Sequence, residues 1–142
     1  ETIGAFVRHP VTWHRSYWAY RTSGRSEWDM RWDIDRQCWD SSFHLYVEKV
    51  CRNMPQFTSK LFARFVGPES DPISFIGRQE NLVSDLCDFL HLCGETFSRE
   101  KIEVVAPQNT SENLPDIGAD LIQKICTSES HSIRRFGYDL IP

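Results

Sequence analysis

Arg8 and Ser16 stand eight positions apart in the stretch AFVRHPVTWHRSYWAYR, and their side chains suit the binding of an anion. A guanidinium presents a planar fork of donors that matches phosphate oxygens and stays charged at any physiological pH. A serine hydroxyl adds a further donor. If a helix begins at Pro10, Ser16 lies about 9 Å up its axis at 1.5 Å per residue, within reach of an anion that a long Arg8 side chain also reaches. Loops at the carboxyl ends of strands in open α/β sheets are where nucleotides bind. Helix-start N–H groups attract anions as well, although Pro10 removes one of them. The pattern therefore describes a phosphate socket. It describes equally well an Arg8 paired with a carboxylate and a Ser16 bonded back to its own helix, and the two residues alone do not choose between these readings.

The elements that would position the pair can be read on either side of it. Ile3, Ala5, Phe6 and Val7 form a short apolar run that fits a buried strand. Pro10 suits the first turn of a helix, and Trp13, Tyr17 and Tyr20 then recur at i, i+4 and i+7, with a stop expected at Thr22-Ser23-Gly24. Residues 25–39, RSEWDMRWDIDRQCW, lack a clean period and read as an ordered, tryptophan-rich loop. Asp40 is the expected N-cap of a helix over residues 41–53, carrying Phe43, Val47, Val50, Cys51 and Met54. A shorter helix carries Leu61, Phe62, Phe65 and Val66 and ends at Gly67-Pro68. Residues 73–76 are the second strand expected, and residues 80–93 the clearest helix, with Gly94 as its C′ residue. Residues 102–105 read as a short edge strand and 107–115 as a turn-rich loop, before a last helix over 116–136 that Gly137 ends. Two short strands that each feed a helix suggest an α/β sheet with few strands.

Composition narrows the classes. A chain of 142 residues with 40% hydrophobic and 25% charged residues, five Trp and nine Phe fits one globular domain. A formal charge of -4 argues against a non-specific nucleic-acid binder, and no apolar run approaches the roughly 20 residues of a membrane span. Cys38, Cys51, Cys87, Cys93 and Cys126 form no C-x-x-C pair and are odd in number, which argues against a disulfide framework or a zinc site and for a reduced, cytoplasmic compartment. The chain opens on Glu1 and enters a strand at once, as a stretch of a longer protein would.

Four segments, in order, resemble the sulfotransferases, most closely their bacterial and viral members related to carbohydrate sulfotransferases. AFVRHPVTWHRSYWAYR is similar to the family's second donor-binding motif, with Arg8 and Ser16 at the two positions that grip the 3′-phosphate of 3′-phosphoadenylyl sulfate (PAPS). Asp40-Ser41-Ser42-Phe43 resembles the start of the mid-domain helix. FIGRQENLVSDL, residues 75–86, resembles the I-G-R-aromatic-E-x-L-x-x-D-L segment, and SHSIRRFGYD resembles the F-G-Y ending.

The resemblance implies a partial P-loop-like, three-layer α/β fold, with residues 1–142 as the C-terminal part of a single domain. It implies PAPS as co-substrate, no metal, and a carbohydrate or small-molecule acceptor hydroxyl; oligomeric state is not indicated. Gln79 departs from the pattern, standing where the family has Phe or Tyr. The 5′-phosphosulfate loop and the general base are expected upstream of residue 1, and no residue here inherits a catalytic role by motif. The seven glycines are scattered, and none opens a phosphate-cradling loop. A catalytically inactive fragment, or a degenerate nucleotide- or glycan-binding module, is the alternative.

Other candidates carry plainer readings beside the functional ones. His9 is expected at a turn and His14 against Trp18. Glu80 is expected to cap its helix or pair with Arg78, and Arg78 either reaches the donor or closes a salt bridge. Trp13, Tyr17 and Tyr20 read as core. Trp28, Trp32 and Trp39 either stack on an acceptor sugar or bury the loop that carries them, and residues 108–111 are a candidate flap over the nucleotide.

Overall fold

The computed structural model describes residues 2–24, 28–105 and 113–140. The proposed flap at residues 108–111 lies outside them. The chain divides into two compact units, Glu1–Arg8 with Leu61–Thr110, and His9–Lys60 with Ser111–Pro142. The class is α/β and helix-rich, with a two-stranded parallel sheet among the described residues.

The first unit is built on that sheet. Strand β1 (Gly4–Val7) pairs in parallel with β2 (Phe75–Arg78), in the register Gly4↔Phe75 to Val7↔Arg78. The second strand therefore begins two residues later than the apolar run at 73–76 suggests; Ile73 instead donates its N–H to the Val66 carbonyl at 3.1 Å. Phe6, Phe75 and Phe89 cover one face, with ring centroids 6.3 Å apart for the first pair and 5.4 Å for the second. The Phe6 ring rests on Gly77, where a Cβ would stand 2.5 Å from it, so the glycine of the I-G-R segment is what lets the ring lie down. Beyond β2 the chain makes a 3-10 turn over Gln79–Asn81 and enters α5 (Leu82–Leu92). Gly94 closes α5 with φ 75°; its own N–H reaches the His91 carbonyl and that of Glu95 the Leu90 carbonyl, which is a Schellman motif at the expected C′ glycine. Residues 102–105 are not an edge strand. Ser98 accepts from the Lys101 N–H and starts a short helix, α6 (Arg99–Glu103), leaving Val104 and Val105 exposed.

The second unit is helical. Helix α1 (Pro10–Thr22) starts and stops where the sequence indicates. Inside the loop expected at 25–39 lies a further helix, α2 (Asp33–Cys38), whose Ile34 and Cys38 are buried. Six residues give too few turns for a period to show. Helix α3 (Phe43–Asn53) is capped by Ser42, not Asp40: the Ser42 hydroxyl accepts from the Leu45 N–H, while Asp40 accepts from the Ser42 N–H at 2.8 Å. Helix α4 (Phe57–Val66) follows, with the division between the two units falling inside it. The long helix expected over 116–136 is two, α7 (Ala119–Ser128) and α8 (Ser130–Arg135), broken at Glu129 with φ -107° and ψ 26°. Val11, Tyr46, Val47, Ile125, Cys126 and Ile133 are among the core that these helices share.

Helix α8 ends at Gly137, whose φ of 61° is the left-handed conformation. The Tyr138 N–H reaches the Ile133 carbonyl at 2.9 Å and the Gly137 N–H that of Arg134 at 3.3 Å, a second Schellman closure. Gly137→Ala is expected to cost about 1–2 kcal/mol, because a Cβ in the left-handed region meets the following carbonyl. A thermal melt reads this directly, and an unchanged midpoint contradicts it.

Candidate functional site

Arg8 follows the last residue of β1, and Val7 is in register with Arg78 at the end of β2. The parallel pairing thus puts both arginines at the carboxyl edge of the sheet in the first unit, half-buried. The turn beyond β2 is fixed by Asp85, whose carboxylate accepts the Arg78 backbone N–H at 2.5 Å. Glu80 is exposed in the 3-10 turn, and Asp85 is the acid that organises the loop.

Ser16 lies half-buried in α1 and belongs to the second unit, so neither unit by itself holds both members of the sequence-predicted pair. Arg8, Arg78 and Ser16 each already have an interaction within the fold. An anion at any one of these side chains would exchange existing partners for its own oxygens, and a guanidinium or a hydroxyl is by its chemistry a donor to phosphate. The helix start contributes less than its position suggests. Pro10 has no N–H, and that of Val11 is donated to His9 Nδ1 at 3.1 Å.

His9 is therefore an N-cap and not merely a turn residue. The residue is 2% exposed, and its Nε2 is bonded to the Asp139 carbonyl at 2.9 Å. His14 is buried as well, beside Trp13 at 5.0 Å and not against Trp18. Its Nδ1 is 3.0 Å from the Tyr46 hydroxyl, and its Nε2 is 3.6 Å from Glu129 Oε1. That last gap is too long for a hydrogen bond. The arrangement that serves both ring atoms has Tyr46 O–H donating to Nδ1 and Nε2–H directed at the carboxylate.

Two buried acids brace α1. Asp35 of α2, fully buried, accepts from the Tyr17 hydroxyl at 2.5 Å and the Asp29 N–H at 2.7 Å, and pairs with Arg21 at 3.1 Å. Burial, reinforced by the bond to Asp35, pushes the Tyr17 phenol far above its ordinary value, so it remains a donor. Glu129 accepts the Thr58 N–H at 3.0 Å and the Ser59 N–H at 3.2 Å, serving the first amides of α4 with a carboxylate. Burial pushes the Glu129 carboxyl up, but His14 and the Thr58 contacts outweigh it and hold the group below the usual carboxylate range.

Trp13 and Tyr17 stack at 4.8 Å as core residues, whereas Tyr20 is exposed. The three tryptophans of the loop part company. Trp28 turns inward between Tyr17 and Tyr46, at 6.3 Å and 5.8 Å. Trp32 and Trp39, at the two ends of α2, are 61% and 49% exposed and remain open to a ligand. The cysteines are free, and burial pushes the Cys38 thiol up to about 11 and those of Cys51 and Cys126 upward, away from nucleophilic use. Among the described residues no His, Cys, Asp and Glu cluster could hold a metal, and no helix is long and apolar enough to cross a membrane. Compared with known proteins, the chain matches no family model, no curated protein and no solved structure.

Proposed function

We propose that this chain is the 3′-phosphate-binding part of a PAPS-dependent sulfotransferase acting on an acceptor hydroxyl of a carbohydrate. The observation that carries the reading is how the four resembling segments meet. β1 pairs with the I-G-R segment through Val7↔Arg78 in the first unit. In the second unit, Trp18 of α1 donates to the Asp40 carbonyl at 3.0 Å and stacks edge-on against Phe43. His9 there meets Tyr138 and Asp139 of the F-G-Y segment. Residues 3–21 thus touch each of the other three segments, although these are scattered over some hundred positions of sequence.

Bound PAPS supplies the sulfuryl group, which leaves its 5′-phosphate for the acceptor oxygen. Arg8 and Ser16 hold the 3′-phosphate and so contribute position, not bond-making. Arg78, at the same sheet edge as Arg8, adds positive potential for the nucleotide. The absence of a residue that inherits the base role by motif favours a second reading, a nucleotide- or glycan-binding module without turnover.

Calorimetry with adenosine 3′,5′-bisphosphate and with adenosine 5′-phosphate tests the proposal. The first is expected to bind at least about tenfold tighter, a difference of about 1.4 kcal/mol credited to the 3′-phosphate. Equal affinities, or none, would remove the donor-site reading. Transfer of labelled sulfuryl from PAPS to a glycan panel then separates the enzyme from the silent module.

A further inference from the structure

Trp32 and Trp39 flank α2 as its N-cap and C-cap residues. At 1.5 Å per residue they stand about 10 Å apart along the axis, and steps of about 100° return the second to the same side of the helix as the first. That side lies away from the buried Ile34 and Cys38, which leaves Trp32 61% and Trp39 49% exposed. The backbone beneath both rings is nonetheless held. Trp32 donates its N–H to the Asp29 carbonyl at 2.9 Å, and its carbonyl accepts from the Arg36 N–H at 3.0 Å. Trp39 donates to the Asp35 carbonyl at 3.1 Å, and its carbonyl accepts from Lys49 Nζ at 2.6 Å. The Asp35 carboxylate in turn ties α2 to Tyr17 and Arg21 of α1. Other tryptophans of this unit are packed: Trp13 on Tyr17, Trp18 on Phe43, and Trp28 near Tyr46. Trp18 also gives its indole N–H to the Asp40 carbonyl, whereas among the described residues those of Trp32 and Trp39 have no protein partner.

What lies between and beside these rings is polar and electrically balanced. Arg36, four residues after Trp32 and three before Trp39, shares their stripe of the helix and pairs with Asp33. Asp29 pairs with Arg31 at 2.8 Å ahead of Trp32, and Asp40 with Lys49 at 3.1 Å beyond Trp39. Each acid has its base, so the surface has no excess charge with which to draw a polyanion or a polycation. Charged groups between the rings also differ from the centre of a protein interface, where such residues are depleted. A sugar has the matching alternation, with C–H groups over the face of its ring and hydroxyls around the edge. An indole covers the first, and a planar carboxylate or guanidinium bonds the second two at a time. We propose that Trp32 and Trp39 form a binding site for an uncharged, β-linked oligosaccharide of gluco configuration, with Asp33 and Arg36 on the hydroxyls between the rings. Equatorial hydroxyls leave both faces of such a sugar lined with C–H groups, and the separation of the tryptophans fits a chain of sugars, not a single one. The site belongs to the second unit alone. That its glycan is the acceptor of the sulfuryl group rests on the function proposed above.

NMR titration of the whole chain with cellotetraose, xylotetraose and N-acetylchitotetraose tests the site without any nucleotide. At least one of them should shift the indole N–H signals of Trp32 and Trp39 together and leave that of Trp13, stacked in the core, in place. Glucose, which spans one ring only, should bind at least about tenfold more weakly than the tetrasaccharide that binds. Trp32→Ala and Trp39→Ala should each lose about tenfold in affinity, the size of one stacked ring. Three results overturn the proposal: no shift with any of the tetrasaccharides, tighter binding of a sulfated heparin tetrasaccharide than of the neutral chains, or unchanged affinity in both variants. Sedimentation that shows the wild-type chain as a dimer and either variant as a monomer overturns it too, since a second copy then covers the rings. The titration of the wild-type chain needs no variant and stands even if an alanine chain folds poorly. Glycan binding without binding of adenosine 3′,5′-bisphosphate would count against the proposed function alone, and nucleotide binding without the indole shifts against this site alone.

Discussion

Arg8→Ala should weaken the binding of adenosine 3′,5′-bisphosphate tenfold or more and leave the fold intact. The size follows from what is removed. A hydrogen bond to a charged group is worth about 1.5–3 kcal/mol, which is tenfold or more in affinity. Arg8 is the right residue to carry such a loss, because it leaves β1 at the sheet edge that also bears Arg78. A lysine there retains the charge without the planar fork, so Arg8→Lys should recover part of the affinity but not all of it. Ser16→Ala should cost less, about 1 kcal/mol for a neutral donor. If both side chains grip one phosphate, the double variant will lose less than the sum of the singles, and the cycle measures that shared partner. Adenosine 5′-phosphate is the control, since neither substitution should alter its binding. An Arg8→Ala chain with unchanged calorimetry for the bisphosphate would end the assignment.

The legible part of the fold was the part written in local pattern. Pro10 and the 13–17–20 stripe announced α1, and the apolar period with Gly94 announced the end of α5. What escaped was short or was decided from a distance. Residues 102–105 look like a strand by their β-branched side chains, yet the Ser98 cap and the Arg99–Glu103 pair make a helix of the preceding stretch and leave the valines in solvent. Tertiary context overrides propensity most easily in such short runs.

The candidate site divided in the same way. Side-chain chemistry marked Arg8 and Ser16, but the bonds that brace their surroundings run between residues far apart in sequence: His9 to Asp139, Tyr17 to Asp35, and Glu129 to Thr58. Acidic residues read as solvent-facing by default, since they are almost never fully buried unless paired. One signal was nonetheless present. Ile125, Glu129 and Ile133 recur at i, i+4 and i+8, which puts a carboxylate on the buried stripe of the last helical stretch. A charge in that place asks for partners.

Those partners make Glu129→Ala the substitution with the largest expected effect on stability, about 3 kcal/mol or more, because two buried amides each lose a bond to a charged acceptor worth about 1.5–3 kcal/mol. Alanine leaves the Thr58 and Ser59 amides without their acceptor. It also leaves His14 Nε2, which has no hydrogen-bond partner among the described residues, facing an apolar gap. Glu129→Gln keeps the shape and one acceptor, so it isolates the charge. The pH dependence has a definite sign. Because the folded carboxyl is held below its ordinary value of about 4.3, its stabilising share is complete above that value and is lost as pH falls through the depressed one. Denaturant unfolding should therefore show wild type well above E129Q at neutral pH, with the gap closing in strong acid as wild type takes up the proton that glutamine cannot. A gap that stays constant into acid would show that shape, not charge, is what Glu129 supplies. A cost below about 1 kcal/mol for E129A, within the range of an ordinary surface change, would show that the carboxylate does not hold α4 to the α7–α8 break.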